Sequence, residues 1–364
     1  MKRSINISLL ILISVSLITC IARYDNNVTN IKMTDNVINH IYSDDLIKVQ
    51  KFIPLETDTT FLIGEIGKIV VYNEMLFILD NTIAKKLFVF DMNGKFIRTI
   101  GKLGKGAYEL LNPMDFSVNL NNGDIAVLDN YRSLLVFKIN GEMKSNRILT
   151  KENRFDKICY NNNDFCLYTS NCSGTKDGYS IHVFDEKFNE KKILKYDESC
   201  DFIHPIKFPM YQVKNKFYYL DMFKACLYEF KDQSVVRKIQ MDFEGKYMPS
   251  NILNKAELFF KEYKKYSFLR EYIQGDDNAY FQILNRSKYN FAVLDLKNNK
   301  ASVYSNIEDR RVPFIPPSCF HNSEFYSVIY PSNIIDKPEL LTQINSDQQI
   351  SLLDNPIIYT YKFK

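Results

Sequence analysis

Short apolar stretches separated by polar corners make up most of the chain after residue 48. The clearest copy is apolar through Lys86–Asp91, turns at Asn93-Gly94 and resumes at Lys95–Ile100. The next copy repeats this order through Leu134–Ile139 and turns at Asn140-Gly141. Apolar residues on both sides of an Asn-Gly pair predict a β-hairpin, because glycine adopts the positive φ of a tight turn without steric cost. The pattern therefore predicts a chain of antiparallel strands.

A phenylalanine near the end of one of these apolar strands recurs at a nearly constant interval. It stands at Phe90, Phe137, Phe184 and Phe230, which gives steps of 47, 47 and 46 residues. Repeats of this length are typical of β-propellers, in which each repeat folds into one four-stranded blade. The period thus predicts the architecture, although it leaves the activity open.

The strands after the fourth repeat extend the count to six blades. A propeller closes when its last blade takes strands from both ends of the chain, so that no free edge remains. The strand at 48–55 and the strand at 357–363 are the natural pair for this closure. The predicted fold is therefore all-β, a six-bladed β-propeller of four-stranded antiparallel blades over residues 48–364.

One segment interrupts the strand pattern between blades four and five. Pro249-Ser250 opens a stretch whose apolar residues have helical spacing, and Glu257 and Lys261 lie four residues apart in it. This spacing predicts an amphipathic helix inserted near 250–266, with Ser250 as its N-cap.

The N-terminus has the pattern of a bacterial export signal. Lys2 and Arg3 precede an apolar run that is too short to span a bilayer as a helix, which needs roughly 20 residues. The run ends in Leu17-Ile18-Thr19-Cys20, which resembles the lipobox of bacterial lipoproteins, although Thr19 stands where Gly, Ala or Ser is usual. The resemblance implies a signal peptide over 1–19 and lipid attachment at Cys20; the alternative is an ordinary secretory signal with an incidental cysteine.

The polar, Asn-rich segment after the signal predicts a tether. We assign residues 20–47 to the lipidated N-terminus and this tether, and residues 48–364 to the propeller. The expected location is the bacterial cell envelope, periplasmic or at the outer membrane, with the membrane as a partner through the lipid anchor.

Several short motifs resemble a known family. Blades one and two resemble NHL-type repeats, and the whole chain is similar to six-bladed β-propeller lipoproteins of anaerobic gut bacteria over about 51–364. The motifs that carry this resemblance are Pro54-Leu55-Glu56-Thr57, Ile63-Gly64, Ile78-Leu79-Asp80-Asn81, Phe90-Asp91-Met92-Asn93-Gly94, Ile100-Gly101-Lys102-Leu103-Gly104, Asn112-Pro113 and Asp354-Asn355-Pro356. The resemblance implies the fold and says almost nothing about activity.

The net charge of the chain limits its possible partners. Removing residues 1–19 takes away two positive charges, so the net charge falls from +4 to +2, which does not indicate nucleic acid as a partner.

Six cysteines follow Cys20, and no CxxC occurs among them. We expect isolated buried thiols, with one disulfide among Cys159, Cys166, Cys172 and Cys200 as the alternative.

The motifs that could carry chemistry have structural interpretations. Gly101–Gly106 lacks the Ser or Thr of a phosphate-binding loop, so we interpret it as a crossing between blades. Asp80-Asn81 and Asp129-Asn130 stand at strand ends, where an Asx side chain binds backbone amides, although a calcium or other metal set is the alternative. The histidines, His40, His182, His204 and His321, show no metal-ligand spacing, although His204 and His321 stand in predicted connections and could line a channel mouth. The sequence contains neither GxSxG nor HExxH.

Two functional classes fit this sequence. The first is a binding or interaction scaffold for a glycan, peptide or envelope protein, without catalytic residues, cofactor or metal, and with no oligomeric state assigned. Its expected variable surface comprises Asn171–Gly178, Ser199–Pro209 and the inserted helix, where Tyr263 and Tyr266 could stack on a ligand. The second is an NHL-like hydrolase or lyase with an axial metal.

We predict that Cys20→Ala abolishes membrane anchoring, because the thiol is the only group at the lipobox position that can take the lipid. The variant protein should appear in the soluble fraction or remain unprocessed, and mass spectrometry of the wild type should find a modified Cys20 at the mature N-terminus. An unmodified N-terminus at another residue would contradict this prediction.

Overall fold

The structure is a computed structural model that describes residues 28–149, 153–170, 178–195, 208–213, 216–231, 234–253, 255–334, 340, 344 and 350–364. The predicted signal peptide over 1–19 and Cys20 lie outside these residues. In the described part of the chain, no helix is long and apolar enough to cross a membrane.

The chain enters the fold through a segment that we call the strap, residues 28–42. The strap contains three short strands, β1 (Val28–Lys32), β2 (Val37–Ile38) and β3 (Ile41–Tyr42). A single helical turn, α1 (Ser43–Leu46), leads into the long strand β4 (Ile47–Pro54).

Six sheets follow, each with strands in antiparallel order from the inside outwards. Blade one is β5 (Lys68–Tyr72), β6 (Met75–Asp80), β7 (Lys86–Asp91) and β8 (Phe96–Ile100), and blade two is β9 (Pro113–Val118), β10 (Ile125–Asp129), β11 (Ser133–Phe137) and β12 (Met143–Ile148). Blade three is β13 (Lys157–Asn161), β14 (Asp164–Tyr168), β15 (Tyr179–Phe184) and β16 (Glu190–Lys195), and blade four is β17 (Met210–Val213), β18 (Lys216–Asp221), β19 (Cys226–Lys231) and β20 (Ser234–Asp242). Blade five is β21 (Ser267–Gln274), β22 (Asn278–Asn285), β23 (Lys288–Asp295) and β24 (Lys300–Tyr304). After the two-residue β25 (Ile307–Glu308), blade six is β26 (Cys319–His321), β27 (Glu324–Ile329), β28 (Ile357–Phe363) and, outermost, β4.

The innermost strands of the six blades form a closed ring. Each of β5, β9, β13, β17, β21 and β26 contacts the next, and β26 returns to β5. The predicted six-bladed β-propeller is therefore confirmed, and most predicted strand bounds agree with the structure to within two residues.

Apolar clusters fill the interfaces between neighbouring blades. The described residues form six such clusters, one for each interface of the ring. The recurring phenylalanines, Phe90, Phe137, Phe184 and Phe230, all lie buried in them, near the end of the third strand of blades one to four. The sequence period therefore reflects one packing position that each of these blades repeats.

The two ends of the chain close the ring in blade six. Strands β28 and β4 pair antiparallel from Ile357 opposite Pro54 to Phe363 opposite Ile47. The predicted pairing of 357–363 with 48–55 is thus confirmed.

A buried asparagine fastens this closure to the start of blade one. The Asn355 Nδ2 atom donates to the carbonyl oxygens of Glu56 at 2.7 Å and Phe61 at 3.1 Å, and its Oδ1 accepts from the Ile63 amide at 2.8 Å. The backbone N–H of Asn355 also donates to Thr57 Oγ1 at 2.9 Å. These contacts join the motif before the last strand to the motifs after β4, although about 300 residues separate them in the chain.

The strap corrects the predicted tether over residues 20–47. Strand β1 pairs parallel with β20, from Val28 opposite Lys238, and β2 pairs parallel with β24. Blades four and five therefore have five strands each, and residues 28–46 belong to the folded body. The physical reason is that the outer edge of a blade presents unpaired backbone groups, which an added strand satisfies. Ile31 and Met33 of the strap are buried in the cluster between these two blades.

The inserted helix is shorter and more broken than predicted. It consists of α2 (Ser250–Leu253), α3 (Ala256–Glu262) and a 3₁₀ turn at Tyr263–Lys265. Helical geometry begins at Ser250 itself, so this residue is not the predicted N-cap in the structure. Tyr263 and Tyr266, which we expected to be available for stacking, are half-buried against the cluster that supports the insertion.

We predict that Asn355→Ala lowers the free energy of unfolding by about 3 kcal/mol, because it leaves buried backbone groups of the closing loop without partners. Equilibrium denaturation of the variant measures this loss. Asn122→Ala is the matched control, since Asn122 is exposed in a hairpin turn and its removal should cost less than about 1 kcal/mol. Equal losses of stability in the two variants would contradict the proposed role of the Asn355 hydrogen bonds in closing the ring.

Candidate functional site

The two faces of the ring have different connections. Because each blade has four alternating strands, the outermost strand ends at the edge where the next innermost strand begins. We call that edge the crossing face, since the chain passes there from blade to blade. The opposite edge, the hairpin face, carries the short turns between the first and second strands and between the third and fourth.

A cavity of about 500 Å³ occupies the axis of the ring. All six blades contribute to its wall, mainly through their innermost strands. The lining residues are Lys68, Ile69, Val70, Val71, Tyr72, Ser117, Val118, Leu120, Cys159, Phe208, Met210, Tyr211, Gln212, Val213, Asp276, Ser318, Cys319, Phe320, His321, Asn322 and Ser323.

A buried ion pair lies along one side of this cavity. Lys68 Nζ is 3.1 Å from Asp115 Oδ1, and it also donates to the carbonyl oxygen of Ile158 at 3.2 Å. Asp115 is buried, and its Oδ2 accepts from the Ile158 amide at 2.8 Å. The three residues stand on β5, β9 and β13, so one polar network joins the innermost strands of three consecutive blades.

A tyrosine side chain reaches across the axis from blade four to blade six. The Tyr211 hydroxyl accepts a hydrogen bond from the Phe320 amide at 2.9 Å, and its ring packs edge-on against Tyr272 at 6.3 Å. Burial is the main cause of the raised pKa of Tyr211, so the hydroxyl stays protonated. Since this bond uses the oxygen as an acceptor, the hydroxyl can still donate its proton to a bound group.

Polar side chains surround the cavity at the hairpin face. Ser323 Oγ donates to Asp276 Oδ2 at 2.8 Å, and both residues are exposed. His321 lies beside them at the end of β26 and is half-buried. Burial lowers the pKa of His321, while the nearby Glu74 carboxylate opposes this shift. The cavity thus has a hydrogen-bonding mouth, and His321 is one of its lining residues, as the sequence indicated.

Two thiols belong to the cavity wall. Cys159 of blade three and Cys319 of blade six are both buried and unpaired, and burial raises the pKa of Cys159 to about 12. Cys166 stands directly opposite Cys159 on the neighbouring strand and is also a free thiol. Cys226 is likewise buried and free, whereas Cys172 and Cys200 lie outside the described residues.

The aspartates at the strand ends have the structural role that the sequence favoured. Asp80 Oδ2 accepts from the Gly64 amide at 2.7 Å, and its Oδ1 accepts from the Ile83 amide at 2.8 Å. Asp129 accepts from the backbone amides of Leu111 and Asn112 in the crossing that enters its own blade. Each carboxylate therefore holds an incoming crossing loop against the connection that follows its own strand.

The glycine-rich segment 101–106 is a crossing between blades one and two, as predicted. Its backbone pairs with residue 110, where the Leu110 amide donates to the Lys102 carbonyl oxygen at 2.8 Å. Gly101 has a positive φ of 72°, which glycine adopts without steric cost, and a Cβ atom at this position would clash with the Leu110 side chain.

Two other histidines, His182 and His40, have structural partners. His182 is buried, with Nδ1 at 2.6 Å from Glu190 Oε1. His40 lies in the strap, with Nε2 at 2.8 Å from Glu308 Oε2, and His204 lies outside the described residues. Within the described ranges, no three His, Cys, Asp or Glu side chains converge as a metal-binding group.

Sequence reasoning missed the ion pair and the bridging tyrosine. A signal for the ion pair was present, since Lys68 and Asp115 are 47 residues apart, which is the blade repeat itself. A lysine and an aspartate at the same position of two consecutive repeats lie on neighbouring innermost strands, so their opposite charges indicate an ion pair between the two blades. No comparable signal marks Tyr211, because its partner is a backbone amide two blades away.

We predict that Lys68→Met lowers the free energy of unfolding by about 3–5 kcal/mol, because it leaves the buried Asp115 carboxylate without its counter-ion. Adding Asp115→Asn should recover a large part of this loss, since the amide keeps the bond from the Ile158 backbone. Lys138→Met is the control: its pair with Glu142, at 3.0 Å, is exposed on both sides and should contribute less than about 1 kcal/mol. Chemical denaturation of the four proteins decides between these outcomes.

Comparison with solved structures supports the same fold. A protein of Bacteroides fragilis described as a "putative exported protein" superposes with a TM-score of 0.75 at 16% sequence identity, over 93% of this chain and 99% of its own. A member of the DUF4221 family from Bacteroides vulgatus gives a TM-score of 0.55 at 12% identity, over 87% of this chain and 98% of its own.

At these identities the similarity establishes the fold and nothing finer. No curated protein matches the sequence. The family model described as "Domain of unknown function (DUF4934)" matches residues 28–362, which include the strap and all six blades. The chain therefore belongs to the DUF4934 family.

Proposed function

We propose that this protein is a lipid-anchored β-propeller of the cell envelope that acts as a binding scaffold and takes its ligand in the axial cavity. The observation that carries this proposal is the cavity itself, to which every blade contributes. Its volume of about 500 Å³ is in the range of small-molecule sites.

The chemistry of the wall suits recognition. Aliphatic and aromatic side chains such as Val70, Val213 and Phe320 provide apolar contact, while the mouth offers the hydrogen-bonding groups of Gln212 and Asn322. A pocket of mainly apolar character with a few directed polar groups is typical of a ligand site. A short peptide or a glycan unit matches this combination.

The charged groups in the wall already have structural partners. Lys68 pairs with the buried Asp115 carboxylate, which also accepts from the Ile158 amide, and Asp276 accepts from Ser323. Binding therefore requires no rearrangement of these charged groups, whereas a reaction that used Lys68 or Asp115 would have to break the network between blades one, two and three. This difference favours the scaffold over the hydrolase or lyase.

Two observations support an extracytoplasmic, anchored location. The N-terminus has the signal pattern and the Cys20 lipobox, and a protein of similar fold is described as an exported protein. In this proposal, the membrane is a partner through the lipid on Cys20, and the ligand comes from the envelope space.

The test is a binding screen on the mature chain, residues 20–364, with Cys20→Ser to remove the lipid. Neutral oligosaccharides and short peptides would be screened by thermal shift, and a ligand that raises the midpoint would be measured by calorimetry. Val213→Phe should then weaken binding at least about tenfold, because the larger ring fills part of the cavity.

Ile97→Phe is the matched control, since Ile97 lies on the outer strand β8, away from the axis, and should leave the affinity unchanged. Equal affinity in Val213→Phe and the wild type would show that the ligand binds elsewhere. Metal-dependent turnover of an ester, lactone or glycan that Asp276→Asn abolishes would overturn the scaffold in favour of the hydrolase.

A further inference from the structure

Exposed apolar side chains are distributed unequally between the two faces. In the part of the chain that the structure describes, fourteen large apolar residues are exposed. Nine of them lie in connections of the crossing face, and the other five lie in the strands β1, β2, β8, β12 and β23. The described turns of the hairpin face contain none of the fourteen, and their tips are rich in asparagine, as at Asn121-Asn122 and Asn298-Asn299.

The apolar residues of the crossing face come from several separate connections around the ring. Leu353 is 82% exposed in the connection that leads to β28, and Ile83 is 70% exposed in the turn between β6 and β7. Tyr108, in the crossing from blade one to blade two, is 74% exposed, and Phe260 of α3 is 64% exposed. Isolated exposed apolar residues are common on protein surfaces, but nine of the fourteen in connections of one face, with none in the described turns of the other, indicate an interaction surface.

Lysines accompany three of these apolar tips. Lys85 follows Ile83, Lys105 precedes Tyr108, and Lys261 follows Phe260, and all three lysines are exposed. Two of the nearby acids have partners within their own loops: Glu109 accepts from the Gly106 amide at 3.0 Å, and Glu262 pairs with Lys265. Apolar side chains next to lysines are typical of surfaces that lie in the headgroup region of an anionic bilayer.

The position of the strap allows the crossing face to reach the membrane. The pairing of β1 with β20 runs from Val28 to Lys32, which stands opposite Asp242 near the crossing face. Val28 is therefore only about 13 Å from that face, at roughly 3.3 Å per residue. The eight residue steps from Cys20 to Val28 span at most about 29 Å. The reach of the anchor depends on the proposed lipidation of Cys20, whereas the distribution of exposed side chains is independent of it.

We infer that the crossing face docks on the surface of an anionic lipid bilayer, with the tips of its separate loops inserted among the headgroups. A bilayer fits better than a partner protein, because the apolar tips stand on different loops with polar segments between them instead of forming one continuous patch. In this orientation the hairpin face and its polar cavity mouth point away from the membrane, so the axial cavity stays open to ligands.

The absence of tryptophan from the sequence gives a direct test. Leu353→Trp places a single fluorophore on the crossing face, and Ile97→Trp places one on the rim of blade one. Both are made in the mature chain with Cys20→Ser and mixed with vesicles of phosphatidylethanolamine and phosphatidylglycerol. We expect the emission of Leu353→Trp to shift to the blue and to be quenched by brominated lipid, while the emission of Ile97→Trp stays unchanged.

Co-sedimentation with the same vesicles measures the energetic contribution. The triple variant Ile83→Glu, Phe260→Glu and Leu353→Glu should lose about tenfold or more in apparent affinity, because each change removes partial burial of a large apolar side chain. The control variant Ile97→Glu, Asn122→Glu and Asn140→Glu introduces the same charge away from the crossing face. It should retain most of the vesicle affinity.

Three results would overturn the inference: no vesicle binding by the unlipidated wild type, equal losses in the two triple variants, or a concentration-dependent blue shift of Leu353→Trp without lipid. The last result would assign the face to a second copy of the chain. Because the protein in this test carries no lipid, its outcome is independent of modification at Cys20 and of ligand binding in the cavity.

Discussion

The pairing of β28 with β4 is the contact on which the rest of the ring depends. It joins strands that more than 300 residues separate, so the last blade is incomplete until the C-terminus arrives. An open ring would expose two apolar blade faces to water at the break. All six inter-blade clusters are therefore complete only when the ring is closed. Asn355 supports the closure locally by satisfying backbone groups of the loop between β4 and blade one. Stability of all six interfaces is therefore linked to one pairing.

Closure also determines what the axis can hold. The side chains of the innermost strands point mainly towards neighbouring blades, where they are buried, so the wall of the cavity comprises strand edges and the few side chains that turn inwards. Lys68 and Tyr211 are among the groups at this wall, and each bonds to another blade: Lys68 to Asp115 and Ile158, and Tyr211 to Phe320. The same contacts that fix the blades relative to each other thus fix the shape of the cavity, and a rigid pocket binds a ligand with little loss of conformational entropy.

The strand pattern could be predicted because it is a local property of the sequence: apolar alternation, Asn-Gly turns and the repeated phenylalanine all act within one blade. The strap could not, because β1 pairs in parallel with a strand that lies about 200 residues later, and a parallel partner leaves no turn signal between them. The candidate site was predictable only in part. His321 stands near the axis as the sequence indicated, whereas Tyr211 acts through a backbone amide, which has no sequence signature.

The four-stranded repeat also separates two kinds of connection, and this separation gives the ring different chemistry on its two faces. Turns between strands of one blade can be two or three residues long, and residues such as Asn73 and Asn162 are suited to their positive φ. A crossing must instead travel from the rim back to the axis, so it needs more residues and can carry apolar tips without disturbing a blade. A polar face with an open cavity and an apolar face of longer loops therefore follow from the same topology. Selection can change one face by altering crossings while the other face and the inter-blade packing remain as they are.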